Sequence, residues 1–303
     1  PRRAALPRIP TARLDAWFAS RGWTPLPFQR AMWRHYLAGH DGLLHTPTGS
    51  GKTLAMFGGP LLQALANAPG TTASSGVPRG ASAAAAASAP TPASARTSTR
   101  SRRTAVRPLQ VLWVTPLRAL ASDTARALRV PIEALGLDWQ VGLRSGDADA
   151  RARRLAREGR LDVLVTTPES LSLLLTYPDT LERMRDLRCV VVDEWHELMG
   201  SKRGVLLQLD LAALREAAPS MQVWGLSATL GNLDQARDVL LPGRPDALLV
   251  QGARQRPVDV RSLLPEAGER FPWAGHLGLS QLQRVLDTVM AERSSLLFTN
   301  TRA

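Results

Sequence analysis

Cysteine is nearly absent from this sequence of 303 residues, and the single one, Cys189, lies inside the apolar run RCVVV. One cysteine excludes a disulfide within the chain and favours a reducing compartment, so we expect a cytoplasmic protein. No apolar run approaches the roughly 20 residues that a membrane-spanning helix needs. The first ten residues, PRRAALPRIP, lack the apolar stretch of a secretory signal. They also lack an initial methionine, so we expect a trimmed chain or a fragment.

Acidic residues are missing between Ala68 and Leu109, where six arginines account for half of the net charge of +12. Residues 68–105 consist mainly of Ala, Ser, Thr, Pro and Arg and contain no aromatic residue. Such a segment cannot bury enough apolar surface to offset its ordering entropy, so we predict a disordered low-complexity insertion there. The net charge supports a nucleic-acid partner only weakly, because a basic disordered loop would give the same total.

Short apolar runs recur outside this segment, and each is followed by a polar cluster. The runs are GLLH (42–45), QVLWV (110–114), DVLVT (162–166), RCVVV (188–192) and QVWGL (222–226). The clusters that follow them are TPTGSGKT, TPLRAL, TPESL, DEWHE and SATLG. Apolar strands that alternate with helical segments indicate an α/β fold, with a parallel sheet covered by helices on both faces. We therefore expect the five clusters to meet at the carboxyl edge of the sheet, where such folds bind ligands.

The stretch HTPTGSGKT (45–53) has the glycine spacing of a loop that cradles nucleotide phosphates, although Thr46 stands where the usual pattern begins with glycine. Lys52 would reach the β- and γ-phosphates, and the Thr53 hydroxyl would hold Mg²⁺. The alternative is a glycine-rich turn with an incidental lysine. Against it, Lys52 is one of two lysines in a chain whose other 36 basic residues are arginine. The residues predicted to bind the nucleotide here are Thr48, Gly49, Ser50, Gly51, Lys52 and Thr53.

The cluster DEWH (193–196) supplies the acidic groups that phosphoryl transfer needs. Asp193, at the end of an apolar strand, suits a ligand of Mg²⁺, and Glu194 could orient and deprotonate the attacking water. His196 is either a surface histidine or a link between the nucleotide site and a nucleic-acid site. We predict Lys52, Asp193, Glu194 and His196 as the catalytic group.

These clusters together resemble the motifs of a superfamily 2 helicase of the DExH type, whose first motif often begins with Ala or Thr. TPLRAL (115–120) resembles motif Ia, TTPESL (166–171) motif Ib, SAT (227–229) motif III and LLFTNTR (296–302) motif IV. Within the superfamily the sequence resembles the Lhr family, and the wording VVVDEWHELMGSKRGV and RFPWAGHLGL is similar to its bacterial DNA-ligase-associated branch.

The resemblance implies further roles. Gln29 would read the adenine edge of ATP, with Trp23 or Phe28 stacking on the base or belonging to the core. Thr115, Arg118, Thr167 and Thr299 would hold the phosphates of a nucleic-acid strand. Ser227 and Thr229 would couple the state of the γ-phosphate to that strand. Arg144 either holds a strand phosphate or pairs with Asp147.

The resemblance also implies a division of the chain. Residues 1–252 would form a first RecA-like domain, and residues 253–303 the beginning of a second, with a strand and turn in 243–256 as the link and a further strand at SSLLFTNTR. Motifs V and VI of the second domain, including the arginine finger, are absent from this sequence. Losing that finger lowers the rate by about 10³–10⁵, so we expect weak or no activity from this chain alone.

The predicted function is that of an ATP- and Mg²⁺-dependent helicase that moves 3′ to 5′ along single-stranded or partly duplex DNA in DNA repair. The family branch implies an ATP-dependent DNA ligase and a nuclease as partners. A GTPase is disfavoured because no N-K-x-D stretch occurs, and a small-molecule kinase would not need TPESL or SAT. A non-catalytic nucleic-acid-binding fragment, or a helicase for RNA or DNA–RNA hybrids, stays open.

Overall fold

The structure, a computed structural model, describes residues 11–68, 107–146, 150–252, 259–263 and 281–298. The chain divides into two compact units, residues 1–255 and residues 256–303. Except for Ala68, the insertion predicted at 68–105 lies outside the described residues, as do Asp147 and Thr299.

The first unit is built on a seven-stranded sheet with the strand order β3-β4-β2-β5-β6-β1-β7. All six strand pairs are parallel, which confirms the predicted sheet. Its strands are β1 (Gly42–His45), β2 (Val111–Val114), β3 (Val141–Arg144), β4 (Val163–Thr166), β5 (Cys189–Val192), β6 (Gln222–Ser227) and β7 (Leu248–Gln251).

Helices connect the strands and cover both faces of the sheet. In the first unit they are α1 (Ala12–Ser20), α2 (Pro27–Leu37), α3 (Lys52–Asn67), α4 (Arg118–Ala134), α5 (Ala150–Arg157), α6 (Pro168–Leu175), α7 (Thr180–Arg183), α8 (Trp195–Leu198), α9 (Lys202–Ala217) and α10 (Leu233–Leu240). The described part of the second unit contains α11 (Leu282–Ala291). None of the helices in the described ranges is long and apolar enough to cross a membrane.

The central strands are buried on both sides, because their sequences VLWV, VLVT and CVVV place an apolar side chain on each face. One face packs against a core that includes Trp33, Phe57 and Trp113. The other packs against a core that includes Trp195 and Leu211. Alternate residues of each strand therefore contribute to two separate cores, and the strand ends are held at fixed positions.

Local sequence signals set several helix starts. Pro27 and Pro168 stand at the first helical position of α2 and α6, where a missing N–H has no cost. Ser201 caps α9 by accepting a hydrogen bond from the Gly204 N–H at 3.2 Å. Asn232 caps α10 by accepting one from the Gln235 N–H at 3.1 Å.

Three details differ from the sequence predictions. The edge strand β3 was not predicted. The strand expected in the link between domains, β7, pairs with β1 and so belongs to the first sheet. Within SSLLFTNTR, the described residues 294–298 form no strand.

Candidate functional site

The strand order brings the predicted clusters together at one edge of the sheet. The carboxyl ends of β5, β6 and β1 are neighbours, so they place DEWH, SAT and the TPTGSGKT loop side by side. The ends of β3, β4 and β2 form the adjoining half of the edge and carry RSG, TTPESL and TPLRAL. The candidate nucleotide residues and the candidate strand-contacting residues thus occupy separate halves of one edge.

The TPTGSGKT loop is shaped by glycine and by short internal hydrogen bonds. Gly51 has a φ of 89°, and a Cβ there would lie 2.7 Å from the Gln29 Nε2. The Ser50 hydroxyl accepts a hydrogen bond from the Thr46 hydroxyl at 2.9 Å and donates one to the Pro47 carbonyl at 2.6 Å. The Thr46 side chain therefore connects the start of the loop to its middle by a hydrogen bond that a glycine could not make.

Lys52 forms an ion pair with Glu194 across the site. Its Nζ donates to both carboxylate oxygens, at 3.0 Å and 3.2 Å, over a sequence separation of 142 residues. Lys52 is 8% exposed, so this charge lies inside the site rather than on the outer surface. The lysine expected to bind phosphate and the glutamate expected to activate water are therefore in direct contact.

Asp193 is held by two hydrogen bonds, one to each carboxylate oxygen. The Trp113 indole N–H donates to Oδ2 at 3.1 Å, and the Glu194 N–H donates to Oδ1 at 3.0 Å. Burial raises the pKa of the Asp193 carboxyl, and the Trp113 hydrogen bond opposes that rise. The next residue, Glu194, has φ 46° and ψ 49°, a left-handed backbone that costs a non-glycine residue about 1–3 kcal/mol. Strain of this kind is concentrated at functional sites.

His196 joins DEWH to SAT. Its Nδ1 lies 3.1 Å from the Ser227 hydroxyl and 3.5 Å from the Glu194 Oε2. On the neighbouring strand end, burial and the nearby charges of Lys52 and His196 lower the pKa of His45. Of the two interpretations of His196, the geometry favours the linking residue, because Ser227 is completely buried. Thr229, the other predicted coupling residue, is exposed.

Gln29 connects α2 to the phosphate loop. Its Oε1 accepts from the Leu26 N–H at 2.8 Å, and its Nε2 donates to the Gly51 carbonyl at 3.2 Å. An amide has two acceptor lone pairs and two donor hydrogens, so one of each remains for an adenine edge. The two aromatic candidates near it differ: Phe28 is buried in the core, whereas Trp23 is 48% exposed and packs edge-on against Trp17.

The residues present fit MgATP. The buried Lys52 supplies positive charge beside the loop, and Asp193 and Thr53 lie on neighbouring parts of the same edge as oxygen ligands. Within the described ranges no cluster of three or more His, Cys, Asp or Glu side chains could hold a metal ion by itself. Mg²⁺ is commonly bound through one or two protein groups together with phosphate oxygens and waters, and Asp193 and Thr53 would supply such groups.

On the other half of the edge, the predicted strand contacts are mostly engaged within the protein. The Thr115 hydroxyl donates to the Leu117 carbonyl at 3.2 Å, and the Thr167 hydroxyl donates to the Ser170 hydroxyl at 3.3 Å. The guanidinium of Arg118 lies so close to Gly146 that a Cβ there would be 2.8 Å from its Nη2. Helices α4 and α6 begin beside these residues, and helix N-termini bind phosphates through backbone N–H groups.

Arg144 has one predicted partner, Asp147, that lies outside the described residues, so the structure bears only on its other predicted role. Arg144 is 4% exposed, which disfavours contact with a strand phosphate. Its Nε donates to the Ser170 carbonyl at 3.3 Å, and its guanidinium lies 5.7 Å from the centre of the Tyr177 ring. Arg144 therefore supports α6 and the segment that follows it.

Residues 26–236 match the family model described as DEAD/DEAH box helicase, which is more than half of the chain. The chain belongs to this helicase family. The resemblance inferred from the motifs is therefore confirmed, and among the relatives of this DEAD/DEAH box chain are several Lhr helicases.

Two of these relatives show the extent of the likeness. The Lhr helicase/probable uracil glycosylase of Mycolicibacterium smegmatis is 32% identical, over 94% of this chain and 17% of that protein. The ATP-dependent helicase Lhr-Core of Saccharolobus solfataricus is 27% identical, over 94% of this chain and 30% of that protein. The chain thus spans less than a third of the length of either relative.

Solved structures support the fold. The structure of Mycobacterium smegmatis helicase Lhr bound to ssDNA and AMP-PNP matches with a TM-score of 0.66 and 29% identity, over 97% of this chain and 35% of that one. The DEAD-box helicase Mss116 matches with a TM-score of 0.62 at 17% identity, which bears on the fold alone. The first unit is a RecA-like helicase core, as predicted.

One residue of the site was missed from the sequence. Trp113 had no predicted role, yet its indole N–H contacts the carboxylate of Asp193. The available signal was a tryptophan within the otherwise aliphatic strand VLWV, two residues before motif Ia, because a buried indole N–H needs an acceptor.

Proposed function

We propose that this chain is the ATP-binding half of a helicase motor that hydrolyses ATP and moves along single-stranded DNA. The observation that carries the proposal is the continuous set of contacts Lys52–Glu194–His196–Ser227 on the sheet edge. It connects the phosphate loop with the DEWH and SAT motifs. An ion pair with only a structural role would need Lys52 and Glu194 alone. It would not require the buried Ser227 hydroxyl to contact His196, which lies beside Glu194.

The residues divide the chemistry among themselves. Lys52 leaves Glu194 to meet the phosphates, which frees that carboxylate to orient and deprotonate water. Asp193 and Thr53 would hold Mg²⁺, which would supply positive charge to neutralise the charge that develops on the phosphate oxygens. His196 and Ser227 respond to the released Glu194 and pass the change to the SAT segment at the end of β6.

The test compares ATP turnover by this chain and by a longer protein that includes motifs V and VI, each with and without single-stranded DNA. We expect DNA-stimulated turnover from the longer protein and a rate lower by about 10³–10⁵ from this chain. Lys52→Ala and Glu194→Gln should each lower turnover of the longer protein by at least about 10². Rapid DNA-stimulated turnover by this chain alone would refute the dependence on the second domain, and unchanged turnover after either substitution would refute the motor.

A second candidate is a nucleic-acid-binding role without turnover. The engaged hydroxyls of Thr115 and Thr167 leave it open, since helix N-termini alone could hold a strand. DNA binding that persists in Lys52→Ala, together with no turnover by the longer protein, would favour this role. RNA or DNA–RNA hybrids as substrates are tested by the same turnover assay with each nucleic acid as the stimulant.

The finer parts of the proposal rest on the family branch. They are 3′ to 5′ movement, a role in DNA repair, and an ATP-dependent DNA ligase and a nuclease as partners. The relative bound to ssDNA and AMP-PNP supports DNA as the substrate. Strand displacement by the longer protein on duplexes with either a 3′ or a 5′ single-stranded tail tests the direction, because only the 3′-tailed duplex should open.

A further inference from the structure

Trp113 stands at the boundary between the two halves of the sheet edge. It lies on β2 opposite Val191 of β5, the strand that Asp193 follows directly. Its indole N–H donates to the Asp193 Oδ2 at 3.1 Å. We propose that Trp113 is a positioning residue for Mg²⁺ binding, which holds the Asp193 carboxylate in the orientation that the metal ion of MgATP requires. This inference rests on the proposed function.

The hydrogen bonds to Asp193 use only part of its acceptor capacity. Each carboxylate oxygen accepts one N–H, from Trp113 or from Glu194, and each has a second lone pair. Two donors at opposite oxygens fix the plane of the carboxylate, because rotation about the Cβ–Cγ bond would break both contacts. One lone pair on each oxygen is then left for the ion or for water bound to it.

Trp113 is itself rigid. It is completely buried, and its ring meets the ring of Phe57 edge-on, with the centres 6.4 Å apart and the planes at 76°. Phe57 belongs to α3, the helix that begins at Lys52. The side chain that orients Asp193 is thus packed against the helix that carries the phosphate-binding lysine, so both groups share one support.

The simpler explanation is that a buried indole N–H needs any acceptor and Asp193 is the nearest. Three other buried tryptophans in the described ranges find neutral acceptors: the carbonyls of Leu54 and Ala236 and the amide oxygen of Gln222. Trp113 differs from them in donating to a carboxylate, and that carboxylate belongs to the candidate metal site. Outer hydrogen-bond partners of metal ligands commonly change metal affinity by about 10–100-fold when removed.

The test measures the affinity of a fluorescent ADP analogue for this chain by anisotropy, with excess EDTA and across a Mg²⁺ titration. Trp113→Phe keeps an aromatic ring and removes the donor. Trp224→Phe is the matched control, because Trp224 is equally buried in the same core and donates to Gln222 instead.

We expect Trp113→Phe to need about 10–100-fold more Mg²⁺ for the same gain in nucleotide affinity, with unchanged affinity in EDTA. Trp224→Phe should behave like the starting protein in both conditions. An unchanged Mg²⁺ requirement in a folded Trp113→Phe protein overturns the inference while leaving the proposed function intact. Absence of nucleotide binding by the unsubstituted chain would count against the proposed function instead.

Two further measurements separate a positioning role from a structural one. If Trp113 acts through Asp193, Asp193→Asn should already lose the Mg²⁺ effect, and adding Trp113→Phe should lower it no further. The second measurement needs no tryptophan variant and so does not depend on its folding. The ¹⁵N-indole NMR signal of Trp113 should shift when Mg²⁺ is added to the ADP-bound chain, and that of Trp224 should not. Additive losses, or a Trp113 signal that does not respond, contradict the role.

Discussion

Lys52 and Glu194 form an ion pair, so Glu194 competes with phosphate for Lys52. Glu194→Gln removes the negative charge and frees Lys52 for phosphate. We expect it to raise ATP affinity, because ATP no longer has to compete with a partly buried carboxylate for Lys52. Turnover of the longer protein should fall by about 10²–10⁴, because general base catalysis is lost. Nucleotide titration and a steady-state ATPase assay check the two effects.

The control for Glu194→Gln is Glu197→Gln. Glu197 lies on α8, the short helix that begins directly after Glu194; its Oε1 is 3.5 Å from the His196 Nε2, and its side chain is 61% exposed. It should leave ATP affinity and turnover nearly unchanged. Weaker ATP binding by Glu194→Gln would show that Glu194 assists phosphate binding rather than competing for Lys52.

Two glycines of the phosphate loop offer a matched comparison. Gly49 and Gly51 both have a left-handed backbone, with φ of 73° and 89°. An added Cβ at Gly49 meets nothing within 4 Å, whereas at Gly51 it meets the Gln29 amide at 2.7 Å. Gly49→Ala should cost about 1–2 kcal/mol of stability from backbone strain alone. Gly51→Ala should cost more and should also weaken ATP binding, because Gln29 must move.

Thermal unfolding and nucleotide titration of the two alanine variants test this comparison. Equal losses of stability, with equal effects on ATP affinity, would mean that the Gln29–Gly51 contact has no role in shaping the loop.

At the scale of secondary-structure elements, α2 and α3 pack unusually closely. A Cβ at Gly59 of α3 would lie 2.5 Å from the Tyr36 Cδ1 of α2. Helix propensity alone predicts that Gly59→Ala gains about 1 kcal/mol. We expect a net loss of about 1–3 kcal/mol instead, because overpacking forces the helices apart. Denaturant unfolding gives the sign directly, and a gain in stability would show that the contact is loose.

Helices α6 and α9 are joined by a buried carboxylate. The Ser172 hydroxyl donates to the Asp210 Oδ2 at 2.6 Å, and burial raises the pKa of Asp210. A raised pKa means that the folded state holds this proton more tightly than the unfolded chain does. Stability is therefore lost as the pH rises through the interval from the unfolded to the folded pKa. Asp210→Asn keeps an acceptor for Ser172 and removes the charge.

We expect Asp210→Asn to be at least as stable as the starting protein at pH 7.5, and this advantage to shrink as the pH falls and Asp210 becomes protonated. Thermal unfolding of both proteins, from pH 7.5 down to the pH at which Asp210 is protonated, measures the difference in stability. Asp123→Asn, on an exposed part of α4, should stay within about 0.5 kcal/mol throughout. An advantage for Asp210→Asn that grows toward low pH would reverse the assigned sign.

Strands with continuous apolar sequences could be predicted from the sequence. Strands that form only because a neighbouring strand lies beside them could not. VLVT and CVVV can only be interior strands, and the clusters that follow them had to meet at one edge. VGLR of β3 is short and ends in arginine, so it becomes a strand only because β4 lies beside it. β7 joins the first sheet because β1 offers a free edge, which no feature of 243–256 reveals. The Lys52–Glu194 contact likewise depends on strand order, since 142 residues separate its partners.

For the whole molecule, the strand order places the candidate nucleotide residues beside the candidate strand-contacting residues. The strands that carry the nucleotide residues, β5, β6 and β1, are contiguous, and β2 is the neighbour of β5 from the other half. Asp193 and Glu194 are therefore separated from the TPLRAL segment by a single strand boundary. A second group of positive charges lies outside these motifs, because residues 69–106 contain five arginines and no acid.

The last prediction separates these two sources of affinity for nucleic acid. Replacing residues 69–106 with a short Gly/Ser linker lowers the net charge from +12 to +7, since 12 − 5 = 7. If the sheet edge holds the strand, the slope of log K against log salt should change by less than the value for one phosphate contact, which is about 0.7 for a single strand. If the five arginines hold it, the slope should fall by up to about 3.5.

We expect the smaller change, and we expect Arg118→Ala to weaken binding equally with and without the segment. Binding to a labelled oligonucleotide at several salt concentrations decides between them, because a large fall in slope would place the strand on the arginine-rich segment rather than on the edge beside the ATP site.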